Sequence, residues 1–219
     1  SWKLSTPLSN FEAGNNYKDV QDPTVTCRVR ATSVKSEELK VKSEGSDLYF
    51  LIWTTTPWTL PANLAICAGA KLDYIAVRDL TDDERPVYVM AKARLPFIFK
   101  KEEMYEVVWE GKGEELKDSE YEPLFPYFAD KRAEGAFRVT NDDYVTTDDG
   151  VGLVHIAPAY GEDDFRVSKE AGITAFADPL DDACAFTDEL PEYKGRFCKD
   201  CDKDIIKRLK AEGKLVYQA

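Results

Sequence analysis

The sequence predicts a β-rich α+β fold, a mainly antiparallel sheet or barrel with a few peripheral helices. Three observations predict it. Seven short runs rich in β-branched and aromatic residues recur along the 219 residues, each ended by polar residues or a Gly/Pro turn. Two stretches, and only two, combine helical spacing with capping residues. No internal repeat or low-complexity tract divides the chain, so residues 1–219 read as one domain.

In chain order, the strand runs fall at residues 25–31, 48–54, 73–77, 86–90, 105–109, 137–140 and 152–155. Residues 112–126 are acidic and contain Pro123 and Pro126, which reads as a surface excursion. The first helix follows Gly161. Glu162, Asp163 and Asp164 fill its first turn, where acidic groups meet the positive end of the helix dipole, and Gly172 can close it. The second runs from 202 to 212. Ile205, Ile206 and Leu209 give it an apolar face, Lys and Arg crowd its last turns, and Gly213 can cap it.

Composition narrows the function classes. No run of 18 apolar residues occurs, so no membrane-spanning helix is expected, and Ser1 to Ser5 do not resemble a secretory signal. A cytoplasmic setting is the default. The net charge of -12 opposes nucleic-acid affinity, because phosphate contacts dominate it. Such a chain should bind free RNA weakly, with other domains supplying most of the grip. The odd cysteine count (Cys27, Cys67, Cys184, Cys198, Cys201) argues against a disulfide scaffold. Cys198 and Cys201 have the spacing of half a zinc site, but no second closely spaced pair accompanies them. The plainer reading is two reduced thiols beside a helix start.

Two segments carry candidate chemistry. The first, Trp53-Thr54-Thr55-Thr56-Pro57-Trp58-Thr59-Leu60-Pro61-Ala62-Asn63, begins where a strand ends. Two prolines stiffen it, and four hydroxyls and an amide crowd it, which suits orienting a polar small molecule or a nucleotide. An edge strand followed by a proline turn would give the same composition. The second segment, Asp149 to Phe165, ends a short strand at His155, the single histidine, then turns through Pro158 and Gly161 into the acidic helix start. Asp163 and Asp164 could be there only to stabilise the helix dipole, at about 0.3–1 kcal/mol each. A carboxylate at that helix start should stay ionised and could hold an ammonium group. Other schemes lack their motifs: no GxSxG elbow, no phosphate-cradling GxxxxGK[ST] or GxGxxG, and no second histidine for a multi-histidine metal site.

Together the two segments resemble the editing domain of class I aminoacyl-tRNA synthetases, specifically the isoleucyl type. That family writes the first motif WTTTPWTLPxN, and Trp53 to Asn63 match it throughout; valyl and leucyl relatives carry an arginine where this chain has Thr56. The second motif, GTGxVHxAPxxGxxD, is followed from Gly150 to Asp164, except that Val151 replaces Thr or Ser. Tyr121 to Tyr127 and Tyr17 to Val20 are similar to the family as well, so the likeness covers nearly the whole chain. HIGH-like and KMSKS-like motifs are missing, which fits an inserted editing domain without its aminoacylation core. Its two ends should then lie close together.

The resemblance implies a β-barrel-centred editing domain of the valyl/isoleucyl/leucyl type. It implies hydrolysis of valine from mischarged isoleucine tRNA, or of valyl-adenylate. Partners would be the tRNA 3′ end, the valine moiety and the remaining domains of the synthetase, with no cofactor in this domain and no membrane. Isoleucine and valine differ by one methylene, worth only about 1–3 kcal/mol to a binding pocket, so a second and smaller pocket must add discrimination. The implied catalytic residues are Asp164, Thr56 and His155. Asp164 would bind the α-ammonium and His155 would limit side-chain size. Thr54, Thr55, Thr59, Asn63, Trp58 and Asp163 are the implied substrate-binding set; within it Trp58 suits loop packing, and Asn63 suits the terminal adenosine or the loop itself. No general base stands out, so water would be positioned by the pocket, with help from a ribose hydroxyl. Two rivals are a non-catalytic module binding the tRNA 3′ end, supported by Val151, and a zinc-stabilised domain built on Cys198 and Cys201.

Overall fold

Strand alternation builds the centre of the molecule. The computed structural model describes residues 22–218. In β1 (Val25–Ser33), Val25, Cys27 and Val29 point into the main core. In β2 (Leu48–Thr54), Leu48, Phe50 and Ile52 face that core while Leu51 faces a second apolar cluster. The same split recurs in β4 (Asp73–Asp79) and β5 (Val87–Ala91): Tyr74, Ala76, Val87 and Val89 go to one side, Ile75, Val77, Tyr88 and Met90 to the other. A sheet covered on both faces needs near-continuous apolar strands, and these three sequences supply them.

The remaining strands are β3 (Ala65–Ala68), β6 (Tyr105–Lys112), β7 (Glu120–Tyr121), β8 (Arg138–Asn141), β9 (Leu153–Ile156) and β10 (Leu215–Gln218). Their order is β10-β1-β7-β8-β3-β9-β2-β5-β4-β6, and an extra β1–β2 pairing closes six of them into a barrel. Closure removes the exposed edges of those six. Strands β5, β4 and β6 extend the sheet beyond the barrel, and β10 pairs with β1, setting Gln218 opposite Val25. The described start and end of the chain therefore lie side by side; residues 1–21, and with them the first end of the chain, lie outside the described residues.

One expectation holds and another needs correcting. The sheet is mainly antiparallel, as expected, with parallel pairings where β2 meets β5 and β9 and where β3 meets β8. Short runs separated by turns suggest hairpins, but here many neighbours in the sheet are distant in sequence. Residues 112–126 are not a surface excursion. Leu116, Tyr121, Leu124 and Phe125 are buried in the main core, and β7 is a barrel strand. Apolar residues alternate there with Glu114, Glu115, Glu120 and Glu122, which stay exposed, so the acidic composition hid a packed segment.

Among the described residues four α-helices flank the sheet: α1 (Glu37–Lys42), α2 (Leu95–Ile98), α3 (Glu162–Glu170) and α4 (Asp202–Ala211). Helices α3 and α4 were expected; α1 and α2 are too short to show periodicity. Among the described residues no helix is long and apolar enough to cross a membrane. The motif Tyr17 to Val20 lies outside the described residues.

Candidate functional site

The threonine-rich segment leaves β2 at Thr54 and folds into a 3-10 turn over Pro57–Ala62. Pro57 sits at the start of that turn, where its fixed φ suits helical backbone and its missing N–H is not needed. Asp202, at the start of α4, holds the turn from behind by accepting the Trp58 N–H at 2.8 Å. Across from the turn, β9 delivers His155, and the chain then bends into α3.

Between them lies a cavity of about 370 Å³. Thr54, Thr55, Thr56, Thr59, His155 and Asp164 line it, all of them expected. Trp58, Asn63 and Asp163 do not. The Trp58 ring packs edge-on against Tyr160, 5.0 Å between centroids. Asp163 pairs with Arg166 at 3.1 Å. Asn63 is buried behind the wall and bonds to His155.

Hydrogen-bond capacity orders the protons of this wall. Asn63 Oδ1 accepts the Tyr121 hydroxyl at 2.7 Å, and Asn63 Nδ2, a donor only, gives to the Ala65 carbonyl at 2.9 Å and to His155 Nδ1 at 2.8 Å. His155 Nδ1 is therefore bare, and the proton sits on Nε2, which donates to Thr59 Oγ1 at 2.9 Å. The Thr59 hydroxyl spends its own proton on the Thr56 carbonyl at 2.8 Å. Thr56 Oγ1 must then donate to Thr59 Oγ1 at 3.2 Å and accept from Thr54 Oγ1 at 3.1 Å. Burial lowers the His155 pKa to about 4, so the ring is neutral at neutral pH. With both nitrogens engaged, it is a shaped wall and not a free base. Thr55 alone among these threonines is exposed, at the rim.

The opposite wall is a glycine loop. Gly150 and Gly152 have φ of +65° and +73°, and a Cβ on Gly152 would come within 2.3 Å of the Ala91 Cβ. Only glycine fits both the backbone and the space. Arg94 clamps the loop from outside, donating to the carbonyls of Gly150 at 2.7 Å and Asp148 at 3.1 Å. Val151 between the glycines is fully buried in the second apolar cluster.

Asp164 is the third residue of α3. Its Oδ2 accepts the Ala157 N–H at 2.8 Å, while Oδ1 accepts no hydrogen bond among the described residues. Burial raises its pKa; the Ala157 N–H opposes that rise, and the nearby Asp163 charge adds to it. Burial thus works against the ionised form that the helix start is expected to favour. Tyr144 also lines the cavity, and its buried hydroxyl has no partner among the described residues.

Tyr144, Trp53, Tyr160 and the clamp Arg94 were not singled out from the sequence. Tyr160 stands inside the second motif and could have been. Arg94 and Tyr144 lie outside both motifs and join the site only through folding. Cys198 and Cys201 sit in a 3-10 turn before α4, and burial raises the Cys198 pKa to about 11, keeping it a thiol. Among the described residues no group of three or more potential ligands gathers for a metal.

Comparison with known proteins adds independent findings. No family model matches. Over 99% of its length the chain is 45% identical to the isoleucine--tRNA ligase of Treponema denticola, and over 100% it is 43% identical to that of Protochlamydia amoebophila. It spans about a fifth of the length of these relatives. In structure it is similar to the CP1 domain of a leucyl-tRNA synthetase, with a TM-score of 0.68 at 14% identity, covering 90% of this chain and 98% of that one. It is also similar to the editing domain of the Plasmodium falciparum cytosolic leucyl-tRNA synthetase, with a TM-score of 0.66 at 10% identity, covering 90% and 99%. At such identities the structural likeness shows the fold.

Proposed function

The chain belongs to the isoleucine--tRNA ligase family as its editing-domain segment, and on that premise we propose that it hydrolyses valine from mischarged isoleucine tRNA in the cytoplasm. In the reaction a water oxygen attacks the ester carbonyl, the bond to the ribose oxygen breaks, and valine and free tRNA leave. Valyl-adenylate offers the same acyl carbonyl and is a second candidate substrate. The remaining ligase domains and the tRNA 3′ end are the partners, and the reaction calls on no cofactor within this domain.

One observation carries the reading. The cavity presents Asp164 Oδ1, which accepts no hydrogen bond among the described residues, to a wall of threonine hydroxyls and one neutral imidazole, while the Asp149 carboxylate stands at its exposed rim. A free α-ammonium is what such an oxygen recognises, through a charge-assisted hydrogen bond. On this reading Thr55, exposed at the rim, holds the ester and the ribose, and Thr56 and Thr59, whose hydroxyls are committed within the wall, line the amino-acid pocket behind it. His155, fixed from both ring nitrogens, limits the side chain that can enter. No base is needed from the wall: water is positioned by the cavity, and a ribose hydroxyl can assist.

The test is single-turnover hydrolysis of valyl- and isoleucyl-tRNA by the ligase carrying this segment. The wild type should clear the valyl ester and spare the isoleucyl ester. His155→Ala, which enlarges the cavity, should hydrolyse both. A wild-type segment that leaves valyl-tRNA intact would sink the assignment; a His155→Ala variant still sparing isoleucyl-tRNA would remove His155 as the size gate.

A further inference from the structure

Outside the cavity, one feature stands apart from the charge of the molecule. Helix α4 carries Lys203, Lys207 and Lys210 at helical spacing, four and then three residues apart and so about 6 and about 4.5 Å along the axis. All three are exposed and make no ion pair among the described residues. They line an open groove of about 550 Å³ with Asp22, Pro23, Ile206 and Gln218. Elsewhere lysines sit against acids: Lys92 with Glu110, Lys112 with Asp73, Lys42 with Glu38. Most acids around the stripe in sequence are already engaged, with Asp200 the exception. Asp204 pairs with Arg196, Glu212 with Arg208 and Lys214, and Asp22 with Lys199. Asp202 is buried against the threonine-rich turn. Among the described residues Lys35, Lys100, Lys117 and Lys169 are also outside any ion pair, but they are scattered along the chain and form no stripe.

We propose that Lys203, Lys207 and Lys210 form a phosphate track that grips the RNA strand leading out of the cavity. Placement supports it. The stripe begins one residue beyond Asp202, the carboxylate that holds the cavity's threonine-rich turn, and runs away from it along α4. Lysines one helical turn apart match the spacing of successive phosphates along a strand. The overall charge of -12 does not defeat this. Screening confines each charge to about 8 Å at physiological ionic strength, so a strand in contact with the stripe meets local positive charge. The assignment rests on the editing function for the identity of the RNA, though not for its charge.

The experiment binds the 219-residue chain to a tRNA acceptor-stem hairpin and records affinity against salt. Each lysine–phosphate contact adds about 0.7–0.9 to the slope of log K on log salt. The K203Q/K207Q/K210Q variant should lose roughly two to three units of slope and bind about 10- to 100-fold more weakly near 50 mM salt. The triple Lys→Arg variant should keep the wild-type slope. An unchanged slope in the glutamine variant, or no detectable binding by the wild type, overturns the track. So does a glutamine variant that melts several degrees lower with its slope intact, since the stripe would then be packing against this chain itself. Failure of the editing function looks different: hairpin bound with the expected slope, but valyl ester not hydrolysed.

Discussion

The two walls of the cavity differ in how completely their polar groups are used. On the threonine–histidine wall the donors run from Asn63 through His155 and from Thr54 through Thr56 to converge on Thr59 Oγ1, whose own proton goes to the Thr56 carbonyl, and His155 has no free nitrogen. On the Asp164 side one carboxylate oxygen and the Tyr144 hydroxyl are left without partners among the described residues. A wall whose hydrogen bonds are spent can set shape but cannot offer a new strong contact. A wall with a spare acceptor can read chemistry. The difference assigns size discrimination to His155 and ammonium recognition to Asp164.

The largest expected effect tests the spare acceptor. Asp164→Ala leaves the substrate ammonium unpaired in a partly dry site, at roughly 2–4 kcal/mol, which slows deacylation of valyl-tRNA by about 30- to 1000-fold. Asp163→Ala, which breaks an exterior pair with Arg166, should change the rate little. Single-turnover kinetics with parallel thermal melts decide it. A folded Asp164→Ala enzyme working at the wild-type rate would erase the contrast between the walls.

The next effect tests the spent wall through pH. His155 is neutral in the fold with a pKa of about 4. In the unfolded chain it takes a proton below about 6.5, and the native state then does not. The unfolded state therefore gains protons first, and stability falls as pH drops, by about 2 kcal/mol between pH 7 and 5 for this group alone. Melts should show that loss in the wild type, and His155→Gln, less stable at pH 7, should show a flatter profile over the same window. Parallel profiles for the two proteins would mean that His155 is not held neutral.

The smallest effect concerns Tyr144. Its hydroxyl is buried and unpartnered among the described residues, so Tyr144→Phe removes a group that gains nothing from the fold. The melting temperature should hold or rise slightly, a change within about 0.5 kcal/mol. If deacylation also holds, the hydroxyl takes no part in the site; a fall of tenfold or more with unchanged melting would give it a substrate partner and extend the reading wall beyond Asp164.

Much of this was legible in the residues. The threonine motif, the glycines around Val151, the histidine at a strand end and the acidic helix start all predicted where a site would gather. They depend on short-range rules: alternation of side chains along a strand, the φ that proline fixes, the φ that only glycine accepts, and dipoles at helix ends. Such rules act over a few residues and can be read off a sequence. What folding decided lies across longer separations. Asn63 supports His155 from 92 positions away, and Tyr121 supports Asn63 from 58. Arg94 clamps Gly150 from 56 positions away. The parallel pairings of β2 and the closure through β1 likewise join distant strands. Desolvation belongs to the same class: the shifted pKa values of Asp164 and His155 follow from burial beneath residues far along the chain, and burial is a sum over the whole fold that no local pattern contains.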